Sequence, residues 1–568
     1  MTQTLFFTSK QQQLSEPAKT YHTILRKEEY GTEKSVQAKL KELSDFDKYD
    51  VYEVVDRPKD VKLIATRWVL VDKELPDGKT IRKARLCMRG DQESNKDKII
   101  QSDAPTVSKV NIKLLLNEAV RRDWEVGSSD VTRAFLQTSD INRQVYVVPP
   151  PEAEVPVGKV WLLKRPAYGL IDAANSFYMN ITNGLMKLGC ELSRMDNAFY
   201  MKFQDNTKSG DDERTLEGLV AAHIDDFLEV GTEKMKTTVL EPLRKQFTFG
   251  SHENLPLRYV GFNIDKEPDG HMRIDQNHFV ENFEIPDMKP LEHIKKSAIL
   301  SEKYQKIFRS TVSKLNMLAT SSRPDITFNV KVLTTLYGKA KKENLQEAIR
   351  IIKKVKRVST NVSVPDLGDI KDWILVAYSD ASTKKINAAF SVAGSVIFLV
   401  NSRTGRSLPL SWSSKKIERV VNSSFGAETL AVIKLIGQLF HIQQTLKQMY
   451  GKKQGDIKTL VLTDARDLYE AVLSVKSPPE KFHTPDVLQI KQAIVVEKII
   501  SELRLVSKDR MLADPLTKPN KTGEELMTAM RTGCLQVPGG TKIASPQQLF
   551  SSTWAQIVAG YNESFQPL

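Results

Sequence analysis

AAHIDDFLEV, residues Ala221 to Val230, sets two carboxylates side by side inside an apolar run. GLVAAHI before them and FLEV after them read as buried strands, so the pattern predicts a hairpin with Asp225 and Asp226 at its turn. Such turns favour Asn-Gly or Asp-Gly, which tolerate positive φ, and Asp-Asp is a poor replacement. Adjacent like charges repel, and a bound cation would relieve them. Carboxylate oxygens are hard ligands suited to Mg²⁺. The same pair also reads as a solvated acidic turn, and this stretch alone leaves both readings open.

Working outward, GSSDVTRAFLQ places Asp130 ahead of Val131, Ala134, Phe135 and Leu136, where a strand gives way to a helix. Carboxylates converging from separate strands can hold two metal ions about 4 Å apart, the arrangement that phosphodiester chemistry uses. The acidic theme returns downstream. DWILVAYSDAS puts Asp380 at the end of an apolar strand, and VIFLV and LPLSW follow as strands two and three. SSFGAETLAVIKLIGQLFHIQQTL reads as a helix with Glu428 in its early turns. TLVLTD ends a further strand on Asp464, and ADPLTKP sets Asp514 near the start of a late helix. A lone strand-end Asp is usually a cap or turn residue. Four acids in this order can meet at one end of a sheet, which suits two-metal hydrolysis.

The chain has 568 residues, enough for three to five domains at roughly 100 to 200 residues each. Hydrophobic residues make up 40% and charged residues 27%, the balance of a folded chain. A net charge of +13 suits a polyanionic partner such as nucleic acid and equally an ordinary basic protein. Cys87, Cys190 and Cys534 are odd in number and far apart, which argues against a disulfide framework and against a zinc site. MTQTLFFTSKQQQ at the amino terminus lacks the apolar core of a signal peptide, and no run reaches the roughly 20 apolar residues of a membrane span. The expected setting is a soluble, reduced compartment.

Ser108 reads as the N-cap of a helix over VNIKLLLNEAVRR, and Gln204 to Gly218 as a solvated loop. Residues 300 to 360 read as helical. Leu345, Ala348, Ile349, Ile352 and Val355 form an apolar stripe there, and Lys353, Lys354, Lys356 and Arg357 fall largely off it, for solvent or for a nucleic-acid backbone. A domain boundary falls at Val364 to Asp369.

These residues carry a family resemblance. DVTRAFL and HIDD resemble the first catalytic block and the Y-x-D-D box of copia-type reverse transcriptases. RKARLCMRG (Arg82 to Gly90), LLKRPAYGLIDAANSFY (Leu162 to Tyr178), RYVGFNI (Arg258 to Ile264) and FRSTVSKLNMLATSSRPDITFNV (Phe308 to Val330) resemble further blocks of that family, in the family's order. YSDAS, LSWSSKK, SSFGAET and LADPLTKP resemble its ribonuclease H segment.

The resemblance implies an α+β fold, a right-hand polymerase of fingers, palm and thumb followed by an RNase H-like α/β domain. The implied division is a polar extension over 1–50, fingers and palm over 51–280, thumb and connection helices over 281–370, the RNase H-like domain over 371–520 and a tail over 521–568. It implies RNA-directed DNA synthesis followed by cleavage of the RNA of the hybrid. Two Mg²⁺ ions per active site, or Mn²⁺ in their place, would be held by Asp130, Asp225 and Asp226 and by Asp380, Glu428, Asp464 and Asp514.

Lys83 and Arg85 would meet the triphosphate of a dNTP, or else edge a solvated hairpin. Phe135 would lie beneath its sugar, or else be a core aromatic. The implied partners are an RNA template, a DNA primer, the RNA/DNA hybrid and dNTPs, with no membrane. The implied setting is a cytoplasmic virus-like particle or the nucleus. A catalytically decayed or host-retained nucleic-acid-binding relic of the same element is the alternative.

His223, Ala167 and Gly426 depart from the family pattern but leave all seven carboxylates in place. With no zinc-knuckle spacing and no room upstream for a protease, the sequence reads as a polymerase-plus-nuclease piece, from a truncated element, a processed polyprotein or a host-retained copy.

Overall fold

The computed structural model describes residues 22–24, 27–74, 79–93, 100–204, 213–383, 390–474, 478–519, 521–539 and 541–544. The amino-terminal stretch MTQTLFFTSKQQQ, residues 205–212 of the expected loop and the last part of the tail lie outside them. Contacts divide the chain into two compact units. The first is built from residues up to Ala104, Asp130–Gly184 and Arg244–Arg258, and the second from Pro105–Ser129, Leu185–Leu243 and Tyr259 onward.

In the first unit, the expected polar extension contains a 16-residue helix, Glu33–Lys48. Glu33 in its first turn and Lys48 in its last complement the helix dipole. Its buried face is Ser35, Lys39, Glu42, Leu43 and Phe46, a helical stripe in which only two members are apolar. The polar members find partners instead. Arg82 donates to Ser35 at 3.0 Å, Lys39 pairs with Glu152 at 2.7 Å, and the Leu86 amide donates to Glu42 at 3.4 Å. Leu43 and Phe46 join Leu86, Met88, Leu136, Trp161 and Leu163 in one core. Strands Thr66–Glu74 and Thr80–Met88 pair antiparallel, with Val71 opposite Lys83 and Val69 opposite Arg85.

In the second unit, strands Glu125–Val131, Asp226–Gly231, Leu216–His223, Phe199–Phe203 and Cys190–Leu192 lie side by side in that order. The first of them passes into the other unit at Asp130. The expected loop therefore gives way to strand already at Leu216. The expected helical stretch resolves into Glu302–Ala319, Thr327–Thr334 and Lys342–Arg357. They share a core that includes Phe308, Leu315, Leu345, Ile352 and Val355. Two of the off-stripe lysines find protein partners there. Lys354 pairs with Asp325 at 3.0 Å, and Lys356 donates to the Glu281 carbonyl at 2.9 Å.

The C-terminal sheet runs Ser407–Lys416, Val392–Asn401, Trp373–Ser382, Lys458–Thr463, Glu502–Leu505, Thr541–Ala544. The first three strands are antiparallel, and the Lys458 strand adds parallel to Trp373–Ser382. This is the RNase H-like order that the sequence led us to expect. Across it packs the 27-residue helix Ser424–Tyr450, capped by the Ser423 hydroxyl on the Gly426 amide at 3.1 Å. Among the described residues this one helix is long and apolar enough to cross a membrane by length and composition, although Lys434 and Gln438 interrupt any run of about 20 apolar residues. Two thirds of its most apolar stretch is buried inside the protein, as in a core helix.

Ser108 caps the helix Lys109–Arg122 as expected, accepting from the Asn111 amide at 3.3 Å. This helix brings charge into the interior of the second unit. Lys113 donates to the Pro409 and Leu410 carbonyls at 2.8 and 3.1 Å and sits 4.3 Å from the centre of the Trp412 ring. Asn117 donates to the Pro365 carbonyl at 2.8 Å. Glu118 accepts from the Tyr450 hydroxyl at 2.7 Å and is paired with Arg121 and Arg122 at 2.8 Å each. Burial alone would raise the Glu118 carboxyl, but these partners hold it below its ordinary range.

Two predictions follow from these buried acids. Breaking a buried pair from one side leaves the other charge stranded. Glu118→Ala should therefore cost about 3–5 kcal/mol in urea denaturation, and Tyr450→Phe about 1–2 kcal/mol. Glu42 behaves oppositely, since burial pushes its carboxyl from 4.5 up to about 7 against Arg133 and the Leu86 amide, with Asp45 raising it and Arg85 lowering it. A raised folded pKa gives stability that is complete below 4.5 and lost as pH rises through about 7. Glu42→Gln should flatten the loss of denaturation midpoint across that window.

Candidate active sites

Asp380 lies near the end of the Trp373–Ser382 strand, opposite Gly394 on its antiparallel neighbour. A side chain at Gly394 would meet the Thr517 methyl at 2.6 Å, so glycine there lets the 513–517 turn descend onto the sheet. The Thr517 hydroxyl then donates to Asp380, and the Lys518 ammonium reaches Asp380 at 3.3 Å. Glu428 comes from the first turns of the core helix and accepts the Ala381 amide at 3.1 Å. Asp464 follows the parallel strand that ends at Thr463. Asp380, Glu428 and Asp464 each bring an oxygen within 4.8 Å of the others.

Asp514 opens a three-residue 3-10 turn rather than a longer helix and stays outside that group of three. Lys518 pairs with it, and Lys521 does so at 2.9 Å. Lys518 thus links Asp514 to Asp380.

Burial raises the Asp380 carboxyl above its ordinary value, with Asp464 and Asp514 adding to the rise and Lys518 and Thr517 opposing it. Glu428 is raised well above its ordinary value by burial first and then by the charges of Asp380 and Asp464. Its Oε2 is buried with no hydrogen-bond partner. Three crowded carboxylates with an unsatisfied oxygen fit a divalent cation, whose charge would oppose both shifts.

The Asp-Asp pair sits on a hairpin, as the sequence predicts, but the acids divide between turn and strand. His223 pairs with Asp226, so Ile224 and Asp225 form the two-residue turn and Asp226 begins the return strand. The left-handed position falls on Ile224, at φ 61°, which a β-branched residue adopts only under constraint. Asp225 and Asp226 present oxygens within 4.8 Å of one another. The Tyr259 hydroxyl donates to the Ala221 carbonyl at 2.9 Å and braces the hairpin from the RYVGFNI segment.

The remaining expected residues come together in the first unit. The Phe135 and Tyr168 rings lie 5.3 Å apart, and the Arg85 guanidinium stands 5.6 Å from the Tyr168 ring centre. Lys83 is shifted down by burial and by neighbouring Lys73 and Arg85, while the Asp130 carboxylate pulls it back up. Phe135 is only half-buried, which distinguishes it from the fully enclosed Leu136 beside it.

Sequence reading missed Tyr168, Thr517 and Lys518. All three stood inside quoted motifs, but nothing in their spacing tells that these side chains turn toward the acids or the Phe135 ring.

A six-stranded sheet carrying one acidic group of three, preceded by a strand hairpin tipped with two more carboxylates, defines an α+β protein with two acidic clusters. Residues 49–291 match the family described as reverse transcriptase (RNA-dependent DNA polymerase). The retrovirus-related Pol polyprotein from transposon RE1 of Arabidopsis thaliana is 25% identical over 411 residues, covering 69% of this chain and 26% of that protein. The corresponding polyprotein from transposon TNT 1-94 of Nicotiana tabacum is 26% identical over 442 residues, covering 73% and 32%. The chain thus spans about a quarter to a third of these relatives' length. Among solved structures, a foamy viral protease-reverse transcriptase in complex with double-stranded DNA overlays with a TM-score of 0.48 at 12% identity, covering 81% of this chain and 68% of that one. The chain carries a copia-like reverse transcriptase region.

Two departures from the family pattern have a structural reason. Ala167 is fully enclosed in the core formed by Leu86, Met88 and Leu136. Gly426 faces His483, whose Nε2 lies 2.3 Å from where a Cβ would stand. That ring has no freedom to retreat, because it is buried, bound to Asp486 at 2.7 Å and packed edge-on to Phe425. Gly426→Ala should therefore destabilise the chain by about 1–3 kcal/mol in chemical denaturation. Adding His483→Ala should remove most of the further loss, leaving the double variant near His483→Ala alone.

Proposed function

We propose that this chain copies RNA into DNA and cleaves the RNA strand of the resulting hybrid, at two separate acidic sites that use Mg²⁺. The observation that carries the reading is the Asp225–Asp226 hairpin, set within the stretch that matches the reverse transcriptase family. In this reading Asp130, Asp225 and Asp226 hold the ions for synthesis, and Asp380, Glu428, Asp464 and Asp514 hold those for hydrolysis. Bound ions would activate the primer hydroxyl or a water and take up charge on the leaving group.

The protein's own residues do the rest. Lys83 and Arg85 grip the triphosphate of the incoming dNTP, and Phe135, backed by Tyr168, forms a floor beneath its sugar that a ribose 2′-hydroxyl would strike. Thr517 and Lys518 fix the Asp380 carboxylate, and Lys521 with Lys518 fixes Asp514. Contacts to template and primer go to phosphates and 2′-hydroxyls, since a copying enzyme ignores base identity.

The test is primer extension on an RNA template with Mg²⁺, alongside cleavage of a labelled hybrid. Asp225→Asn should abolish extension and spare cleavage, and Asp464→Asn should do the reverse, each by at least about 100-fold. Loss of both activities from either single substitution in a folded chain would overturn the assignment of separate sites. A folded wild type that neither extends nor cleaves, with Mg²⁺ or Mn²⁺, would mark the chain as a binding relic.

A further inference from the structure

The family match begins at residue 49, so the Glu33–Lys48 helix stands outside it. Its acids nevertheless reach the segment that follows Asp130. Arg133 has left-handed backbone, φ 50° and ψ 43°, directly before the helical turn Ala134–Gln137 that carries Phe135. A non-glycine residue in that region costs on the order of 1 kcal/mol and persists only where its surroundings impose it. Here the Arg133 guanidinium pairs with the Asp45 carboxylate and stands 3.8 Å from Glu42, both on the helix.

The other side of the segment is held independently. The Thr132 amide donates to the Thr248 carbonyl at 3.0 Å. Gln137 donates to the Thr132 carbonyl at 2.6 Å and accepts from the Thr248 amide at 2.7 Å. Asp130 is fixed by its place in a strand. Arg133 is therefore the joint whose freedom would pass to Phe135 rather than back to Asp130. The Phe135 ring in turn lies 5.3 Å from the Tyr168 ring, over which the Arg85 guanidinium stands at 5.6 Å.

We propose that the Glu33–Lys48 helix is a positioning element for the nucleotide site, in which Asp45 and Glu42 hold Arg133 left-handed and so set Phe135 against Lys83 and Arg85. The inference rests on the nucleotide role given above to Lys83, Arg85 and Phe135. The helix touches no substrate. Its effect is on where the floor of the sugar site stands, so it acts on nucleotide binding more than on the chemical step.

The experiment is single-nucleotide incorporation by the full chain, with dNTP varied and primer–template affinity measured in parallel. Arg133→Met and Asp45→Asn should each raise KM for the dNTP about tenfold, leave kcat within about twofold and leave primer–template affinity unchanged. Because both break one contact, the double variant should be no worse than the poorer single one. Arg133→Lys, which keeps the charge, should recover part of the loss. Denaturation midpoints taken beside the kinetics show whether each variant is folded.

Unchanged KM in folded variants overturns the inference and leaves the proposed function standing. So does a fall in kcat, dNTP binding and primer binding together, since that is the pattern of a merely structural helix. A folded wild type that incorporates nothing overturns the proposed function, and the inference with it.

Discussion

A charge taken out of water must be met by partners or it unfolds the protein around it, and the Lys109–Arg122 helix imposes that constraint on the second unit. Its Lys113, Asn117 and Glu118 are all buried. Each draws a partner from far downstream: the carbonyls of Pro409 and Leu410, the carbonyl of Pro365 and the hydroxyl of Tyr450, the last joining Arg121 and Arg122 of the same helix at Glu118. The helix leads directly into the strand Glu125–Val131, the neighbour of the acid hairpin. The sheet that carries Asp225 and Asp226 and the sheet that carries Asp380 are consequently parts of one unit, stitched by hydrogen bonds that hydrocarbon packing alone would not orient.

The same constraint shapes the acid cluster. Asp380, Glu428 and Asp464 are brought together where water is scarce, and the protein compensates only in part. Thr517 and Lys518 attend to Asp380, one backbone amide attends to Glu428, and its second oxygen is left without a partner. The open oxygen and the raised carboxyls of Asp380 and Glu428 are what a cation bound there would meet. The Ile224 turn stores constraint of another kind, in the backbone beside Asp225.

Much of this was legible because strands and acids leave strong local signals. The alternation of apolar runs announced the Leu216–His223 and Asp226–Gly231 hairpin and the strand order around Asp380, and Ser108 announced its helix. The Glu33–Lys48 helix was illegible for a physical reason. Its inward face is mostly polar, and Ser35, Lys39 and Glu42 are buried because Arg82, Glu152 and the Leu86 amide come from distant segments to meet them. Hydrophobic periodicity cannot show a face whose burial depends on hydrogen bonding. The Ser424–Tyr450 helix, by contrast, was legible as a helix with Glu428 in its early turns. Its glutamines and histidine broke the run of apolar residues that a membrane criterion looks for, yet the segment as a whole is apolar enough to pass one.

The sequence by itself determined which carboxylates exist, their order and the ends of strands and helices on which they stand, since these follow from local patterning over ten residues or so. Tertiary structure alone decided which of them meet. It placed Asp514 beside Lys518 and Lys521 rather than within the group of three, gave Gly426 its reason in the ring of His483, and turned Arg133 toward Asp45. The division is physical. Secondary structure is set by neighbours along the chain, whereas the charge state of a carboxylate and the direction of a cation are set by burial and by partners that only folding brings near.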